Sequence, residues 1–338
     1  KNGIFVFSSE IKGFYEIPNM TFSLSLEALD LYLTFEYVPA PWSIYEDIFK
    51  LEQGHYILIK KQQIQKEKWY ELNFSPKYLF TNENEYIEKL DGLIKESVKL
   101  RTISDAPLGC FLSGGLDSSL ITYYLSQFSS NTLHTFSIGF EDPSFDERVF
   151  AEKVAQHLGT THHSEVFTID YMINSLQTVW ETMDEPFSDA SYLPTYLLSY
   201  FTKKNITVAL SGDGGDEVFG GYPTYFAHKI AKFIPRWSAL LFKQTCSILP
   251  VNHDNISLDF KVKQFTDGLE YNSLLRHQYW LGSFNIKQKN KLYSDEFNRN
   301  LTNENNVEKL IINKMKNCDA DPNWEKHIYQ DFQFYLND

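Results

Sequence analysis

Hydrophobic and polar residues change period along this chain, and the changes mark out its elements. Up to residue 72 the apolar positions come in short runs. Ile4-Phe5-Val6-Phe7 and Tyr56-Ile57-Leu58-Ile59, bounded by turn formers such as Gly3 and Gly54, predict strands. Between them Ser25 is placed to cap a short helix reaching Leu33, followed by the loop Val38-Pro39-Ala40-Pro41. Residues 73–81 have linker character. Asn82 and Glu85 then make a capping-box pattern, and Tyr86, Leu90, Leu93, Ile94 and Val98 recur at helical spacing. Arg101 lies near the end of that helix, where a cation suits the dipole.

From residue 107 strands and helices alternate. Strands are predicted at 107–112, 133–140, 162–168 and 206–210. Helices are predicted at 119–128, 145–158 (with Gly159 as C-cap), 170–183 and 192–204. This order predicts an α/β fold, a parallel sheet with helices on both faces and right-handed crossovers, preceded by a β-rich segment over 1–72. Such sheets bind ligands beyond the carboxyl ends of their strands, and two Gly-rich turns fall at those ends. Residues 222–338 read as mostly helical.

Composition narrows the picture. The 338 residues suggest two domains, and 43% hydrophobic with 22% charged residues is globular. Lys and Arg number 31 against 44 Asp and Glu, a net charge of −13, which argues against nonspecific nucleic-acid binding. No apolar run approaches the roughly 18–20 residues that span a bilayer. Cys110, Cys246 and Cys318 are too scattered for a disulfide framework, so a reducing, cytoplasmic setting is expected. The chain opens on Lys1 inside an apolar run and reads as an internal piece of a longer protein.

The first Gly-rich turn is Ser113-Gly114-Gly115-Leu116-Asp117-Ser118-Ser119. Adjacent glycines admit close backbone approach, and Ser118 or Ser119 can cap the following helix, whose free N–H groups suit phosphate oxygens. Asp117 in such a cradle is repulsive unless a divalent cation bridges, and Mg²⁺ fits that role. A plain tight turn is the alternative; the strand before and the helix after weigh against it. No GxxxxGK[ST] is present, and Phe111 excludes a GxSxG nucleophile elbow. The second turn is Ser211-Gly212-Asp213-Gly214-Gly215-Asp216-Glu217. Three glycines and three acids suit a site where backbone and carboxylates reach a metal-bound phosphate; the EF-hand spacing is absent.

SGGLDSS resembles the pyrophosphatase loop of the N-type ATP pyrophosphatases (the PP-loop, adenine nucleotide alpha-hydrolase-like fold). With FSIGF at 136–140, LGTTHH at 158–163 and LSGDGGDEVFGGY at 210–222, the chain resembles the glutamine-hydrolysing asparagine synthetases. FSSEIKGF at 7–14, the stretch 36–59 and KWYEL at 68–72 are similar to the end of that family's class II glutaminase domain. The resemblance implies residues 1–72 as the C-terminal part of a glutaminase domain, 73–81 as linker, and 82–338 as the synthetase domain, truncated at its end. It implies ATP, Mg²⁺, aspartate and glutamine or ammonia, with neither nucleic acid nor membrane, and leaves a homodimer open. The family's glutaminase nucleophile is an N-terminal cysteine, so this chain by itself is expected to lack glutaminase activity.

By the same resemblance Ser113, Gly114, Gly115 and Ser118 hold pyrophosphate, and Asp117 and Asp216 bind the metal. Leu112 and Ile138 contact adenine, Ser211 and Gly212 lie along AMP, and Asp213 handles ammonia in place of the family's usual Glu. Asp189 and Ser191, in DEPFSDAS at 184–191, are placed near the amino-acid substrate, with a turn capped by Ser191 as the rival reading. GGYPTY at 220–225 lacks an Arg common in relatives at Thr224. That leaves the substrate open, so another amide-forming ligase acting on a sugar acid or β-lactam precursor is an alternative; a non-catalytic amidotransferase-like subunit is a separate one. His162 and His163, adjacent in a predicted strand, point to opposite faces and cannot chelate one ion. The lysines of 60–68 read as a solvated edge, and Ser9-Glu10 as interdomain packing.

Overall fold

The structure is a computed structural model that describes residues 5–235 except 62 and 130, and residues 258–336 except 303–305 and 321–322. Cys246 lies outside the described residues. The chain divides into two compact units, one made of residues 1–75, 181–189 and 220–338, the other of 76–180 and 190–219.

In the first unit, helix α1 (Leu26–Phe35) starts where expected, with the Ser25 side chain accepting the Ala28 N–H. Strands β1 (His55–Lys60) and β2 (Gln63–Lys68) pair antiparallel as a hairpin. β2 carries the lysine-rich stretch and is exposed throughout, as a solvated edge should be. The apolar run at the front differs from expectation. Ile4 lies outside the described residues; Phe5, Val6 and Phe7 are exposed and form no strand, and no strand among the described residues pairs with them to complete their backbone hydrogen bonds. A short 3₁₀ helix, Ile11–Glu16, follows instead. The unit's core joins distant parts of the sequence: Leu31 and Phe35 of α1 pack with Leu275, Val307, Leu310, Ile311, Met315, Tyr329 and Phe334. Its described residues after 222 are mostly helical, as the sequence indicates.

The second unit opens with α2 (Glu83–Leu100), capped by Asn82 accepting the Glu85 N–H at 3.1 Å. Then come β3 (Leu108–Phe111), α3 (Leu116–Phe128), β4 (His134–Phe140), α4 (Arg148–Leu158) and β5 (Thr161–Phe167). Helices α5 (Ile169–Thr182) and α6 (Tyr192–Thr202) lead to β6 (Val208–Leu210) and the short α7 (Gly215–Phe219). The four strands form one parallel sheet in the order β5-β4-β3-β6. The path β3→β4→β5 runs one way along the sheet and the return to β6 the other. Right-handed crossovers therefore put α3 and α4 on one face and α6 on the opposite face. Cys110, fully buried with Val98, Tyr124, Leu125 and Leu133, is core. Burial pushes its thiol up to about 11.

Candidate active site

Strand order decides the site. β3 pairs with β6 in the register Leu108↔Val208, Gly109↔Ala209 and Cys110↔Leu210. The two Gly-rich turns therefore leave adjacent strands at nearly the same level, at the point where the winding of the sheet reverses. Ligands of doubly wound sheets bind there.

In the first turn, Ser113 Oγ lies 3.0 Å from Ser118 Oγ and accepts the Gly115 N–H at 3.2 Å. The Ser113 N–H donates to Ser118 Oγ at 3.3 Å. Helix α3 begins earlier than expected, at Leu116, with Gly115 as its N-cap and no side chain in the capping role. Ser118 and Ser119 thus sit inside the first turn rather than at the cap, because Leu116-Asp117 already has helical geometry. The N–H groups of Leu116, Asp117 and Ser118 have no intrahelical acceptor and point back toward the turn. Ser119 Oγ, which the sequence offers only as a helix cap, is buried without a hydrogen-bond partner.

Gly114 has a left-handed φ of +83°, and a Cβ there would lie 2.5 Å from the backbone of Phe150 and Ala151. The glycine is needed first for packing on α4. Substituting it tests the fold before it tests phosphate binding. Gly212 and Gly215 let the second turn press on the first. A Cβ on Gly212 would stand 2.7 Å from Ser118 N, and one on Gly215 would stand 2.5 Å from Asp117 Cγ. In the second turn Ser211 Oγ donates to Asp213 Oδ2 at 2.7 Å, holding that carboxylate over its own loop. Asp216 and Glu217 occupy the first turn of α7, Asp216 exposed and Glu217 2% exposed.

The structure brings Asp117 and Asp216 into one electrostatic site. Burial, and then the negative charge of Asp216, push the Asp117 carboxyl above the usual carboxylate range. Two repelling carboxylates beside a row of N–H groups and hydroxyls form a hard-oxygen donor set that a divalent cation relieves, so the residues present fit Mg²⁺.

Other expected residues are placed less simply. Leu112 is 1% exposed, its side chain packed with Ala151, Val154 and Ala155, so it offers a base no side-chain surface. Ile138 is half-buried in β4. Asp189 is half-buried and belongs to the first unit; Ser191 is exposed and belongs to the second, at the N-cap of α6 with no side-chain cap bond. Just before them, Asp184 accepts the Ile11 N–H at 2.6 Å and Glu185 accepts the Ile44 N–H at 3.1 Å, so these acids fasten the first unit. His162 bonds to Thr135 and Ser137 while His163 bonds to His134 and stacks on Phe136, on opposite faces of the sheet. Arg148, the first residue of α4, binds Asp146 with two nitrogens at 2.7 and 2.9 Å. It sits just beyond β4, and its signal was a charged cluster immediately after a predicted strand.

The family model for asparagine synthase matches residues 89–338, and that for the glutamine amidotransferase domain matches residues 1–70. A protein of Methanocaldococcus jannaschii provisionally named asparagine synthetase (glutamine-hydrolyzing) 2 is 34% identical over 323 residues, covering 93% of this chain and 58% of that protein. Asparagine synthetase (glutamine-hydrolyzing) 1 of Bacillus subtilis is 36% identical over 220 residues, covering 65% of this chain and 34% of the relative. Asparagine synthetase B of Escherichia coli is 38% identical over 166 residues, covering 44% and 28%. The chain spans less than two thirds of the length of each of these relatives.

Proposed function

Because the chain belongs to the asparagine synthase family, we propose that the full-length protein converts aspartate to asparagine with ATP, taking its nitrogen from glutamine. A carboxylate does not react with ammonia at neutral pH, because oxide would have to leave. The aspartate β-carboxylate attacks the α-phosphorus of ATP, forming a β-aspartyl-adenylate and expelling pyrophosphate. Ammonia then attacks the acyl carbon and AMP leaves, so each displacement has a competent leaving group.

Positioning and charge neutralisation are what this reaction asks of the protein. Ser113, Gly114, Gly115 and Ser118 hold the pyrophosphate through N–H and O–H donors. Asp117 and Asp216 would hold Mg²⁺, which when bound neutralises the pyrophosphate oxygens. Ser211 and Gly212 lie along AMP. Ile138 and the main chain of Leu112 border the adenine. Asp213 handles the incoming ammonia, and Asp189 and Ser191 orient the amino acid. The functional boundary falls in the linker 73–81, between family matches that end at 70 and begin at 89. No helix among the described residues is long and apolar enough to cross a membrane, and we place the enzyme in the cytoplasm.

One observation carries this reading: the β3–β6 pairing that sets Asp117 against the second turn. Asp117→Asn and Asp216→Asn in the full-length protein should each cut pyrophosphate release with aspartate and ATP by about a hundredfold or more, the scale of losing a strong charge stabiliser. Glutamine hydrolysis should persist. Near wild-type pyrophosphate release in both variants sinks the assignment. Loss of both activities with a lowered melting temperature makes the acids structural.

A further inference from the structure

Three histidines with no place in the reaction meet in the core of the first unit. His228 lies on the helix Pro223–Ala231, His277 on Ser273–Leu281 and His327 on Asn323–Phe334. They are 9%, 0% and 3% exposed, and a ligand nitrogen from each lies within 4.8 Å of the other two. We propose that His228, His277 and His327 bind one divalent transition-metal ion of the zinc class.

Outer contacts support this assignment. Metal-bound histidines hand their second ring nitrogen to a carboxylate, carbonyl or hydroxyl, which fixes ring and tautomer. His277 Nε2 lies 2.7 Å from Asp331 Oδ1, and His327 Nε2 lies 2.9 Å from Ser273 Oγ. Asp331 is 1% exposed, and its other oxygen accepts the Tyr225 hydroxyl. A buried carboxylate therefore stands directly behind one imidazole. The inward nitrogens are ready to ligate. His327 Nδ1 is buried with no hydrogen-bond partner, which is costly in a metal-free core. His277 Nδ1 and His228 Nε2 lie 3.0 Å apart with one hydrogen between them. The nearby Arg276 is turned onto the carbonyls of Gly268, Leu269 and Tyr271.

Three imidazoles select zinc, cobalt, nickel or copper over magnesium or calcium, which prefer oxygen. Bonds of about 2.0–2.1 Å require nitrogen separations of about 3.4 Å, so on binding the wider separations close and the 3.0 Å pair of His228 and His277 opens slightly. The His228 and His327 rings stack 3.6 Å apart at 8°. Parallel rings cannot aim two lone pairs at one point, so one ring turns. The hydrogen between His228 and His277 moves to the other nitrogen of His228, and two metal–nitrogen bonds replace that hydrogen bond. With the ligands on three helices, the ion cross-links them and raises stability.

The test uses the whole chain, stripped with chelator, incubated with one equivalent of Co²⁺ and desalted. One Co²⁺ per chain is expected, with the intense visible bands of a four-coordinate site and a raised melting temperature. His327→Gln should abolish the bands, and Asp331→Asn should weaken cobalt binding about 10- to 100-fold. Asp117→Asn should leave the bands intact, which separates this site from the paired carboxylates of the proposed active site. Absence of retained cobalt in the wild-type chain, or unchanged bands in His327→Gln, overturns the proposal. The wild-type result decides even if a variant fails to fold.

Discussion

Asp117 owes its position to an absent methyl group. A Cβ on Gly215 would meet Asp117 Cγ at 2.5 Å and its two oxygens at 2.7 and 2.9 Å. These are the far atoms of a side chain that can swing away, so Gly215→Ala should fold and displace the carboxylate. Misplacement of a catalytic group by about 1 Å costs up to about a hundredfold. Pyrophosphate release in the full-length protein should fall at least about tenfold with the melting temperature nearly unchanged. A wild-type rate would show that Gly215 does not set Asp117. Gly114 is the contrasting case. Its obstruction is the backbone of α4, which cannot swing, so Gly114→Ala should lower stability and activity together.

Among the elements, α2 carries Gly92 in its middle, and a Cβ there would meet nothing within 4 Å. Gly92→Ala should therefore stabilise the chain by about 0.5–1 kcal/mol, read from denaturant melts. No change, or a loss, would mean that the helix interior is not limiting. Strand β5 supplies a pH dependence. Burial lowers the pKa of His162 and, with His134 beside it, that of His163. The unfolded chain then binds more protons than the folded one once the pH drops below about 6.5, the ordinary imidazole value. Stability is whole above that pH and lost progressively below it. Melting temperature should fall between pH 7 and 5, less steeply in His162→Asn; equal slopes would rule His162 out as a source. How much was legible follows from where the signals lie. The Asn82 cap, the alternation from 107 to 210 and the opposite faces of His162 and His163 depend on local sequence, and they stand in the structure. Helix α3 starts three residues before the predicted 119 because its Gly-Leu-Asp opening reads as loop in sequence. Nothing in sequence announced the buried histidines at 228, 277 and 327, each about fifty residues from the next. Only packed helices bring them together.

For the whole molecule, sequence order and spatial order diverge. The core of the first unit joins α1 to side chains between 275 and 334. Leu31, fully buried there, should cost about 2–5 kcal/mol as Leu31→Ala, a cavity that neighbours on other helices cannot fill. Hydrogen exchange should quicken along the helix Val307–Lys314, far away in sequence; protection unchanged there would separate the two ends of the chain energetically. The second unit is non-local in another way. Leu108 pairs with Val208, so β3 must wait for a strand one hundred residues downstream. At a synthesis rate of about 5–20 residues per second, that wait lasts roughly 5–20 s. Through it β4 can pair with β3 on one side and with β5 on the other, while the other edge of β3 stays open, with unpaired N–H and C=O groups able to template a neighbouring chain. The last strand to arrive both seals that edge and brings in the second turn of the proposed nucleotide site. A nascent chain interrupted before residue 210 therefore carries an open sheet edge, so the strand order that joins the two Gly-rich turns also sets how long the growing chain is exposed to edge-to-edge association.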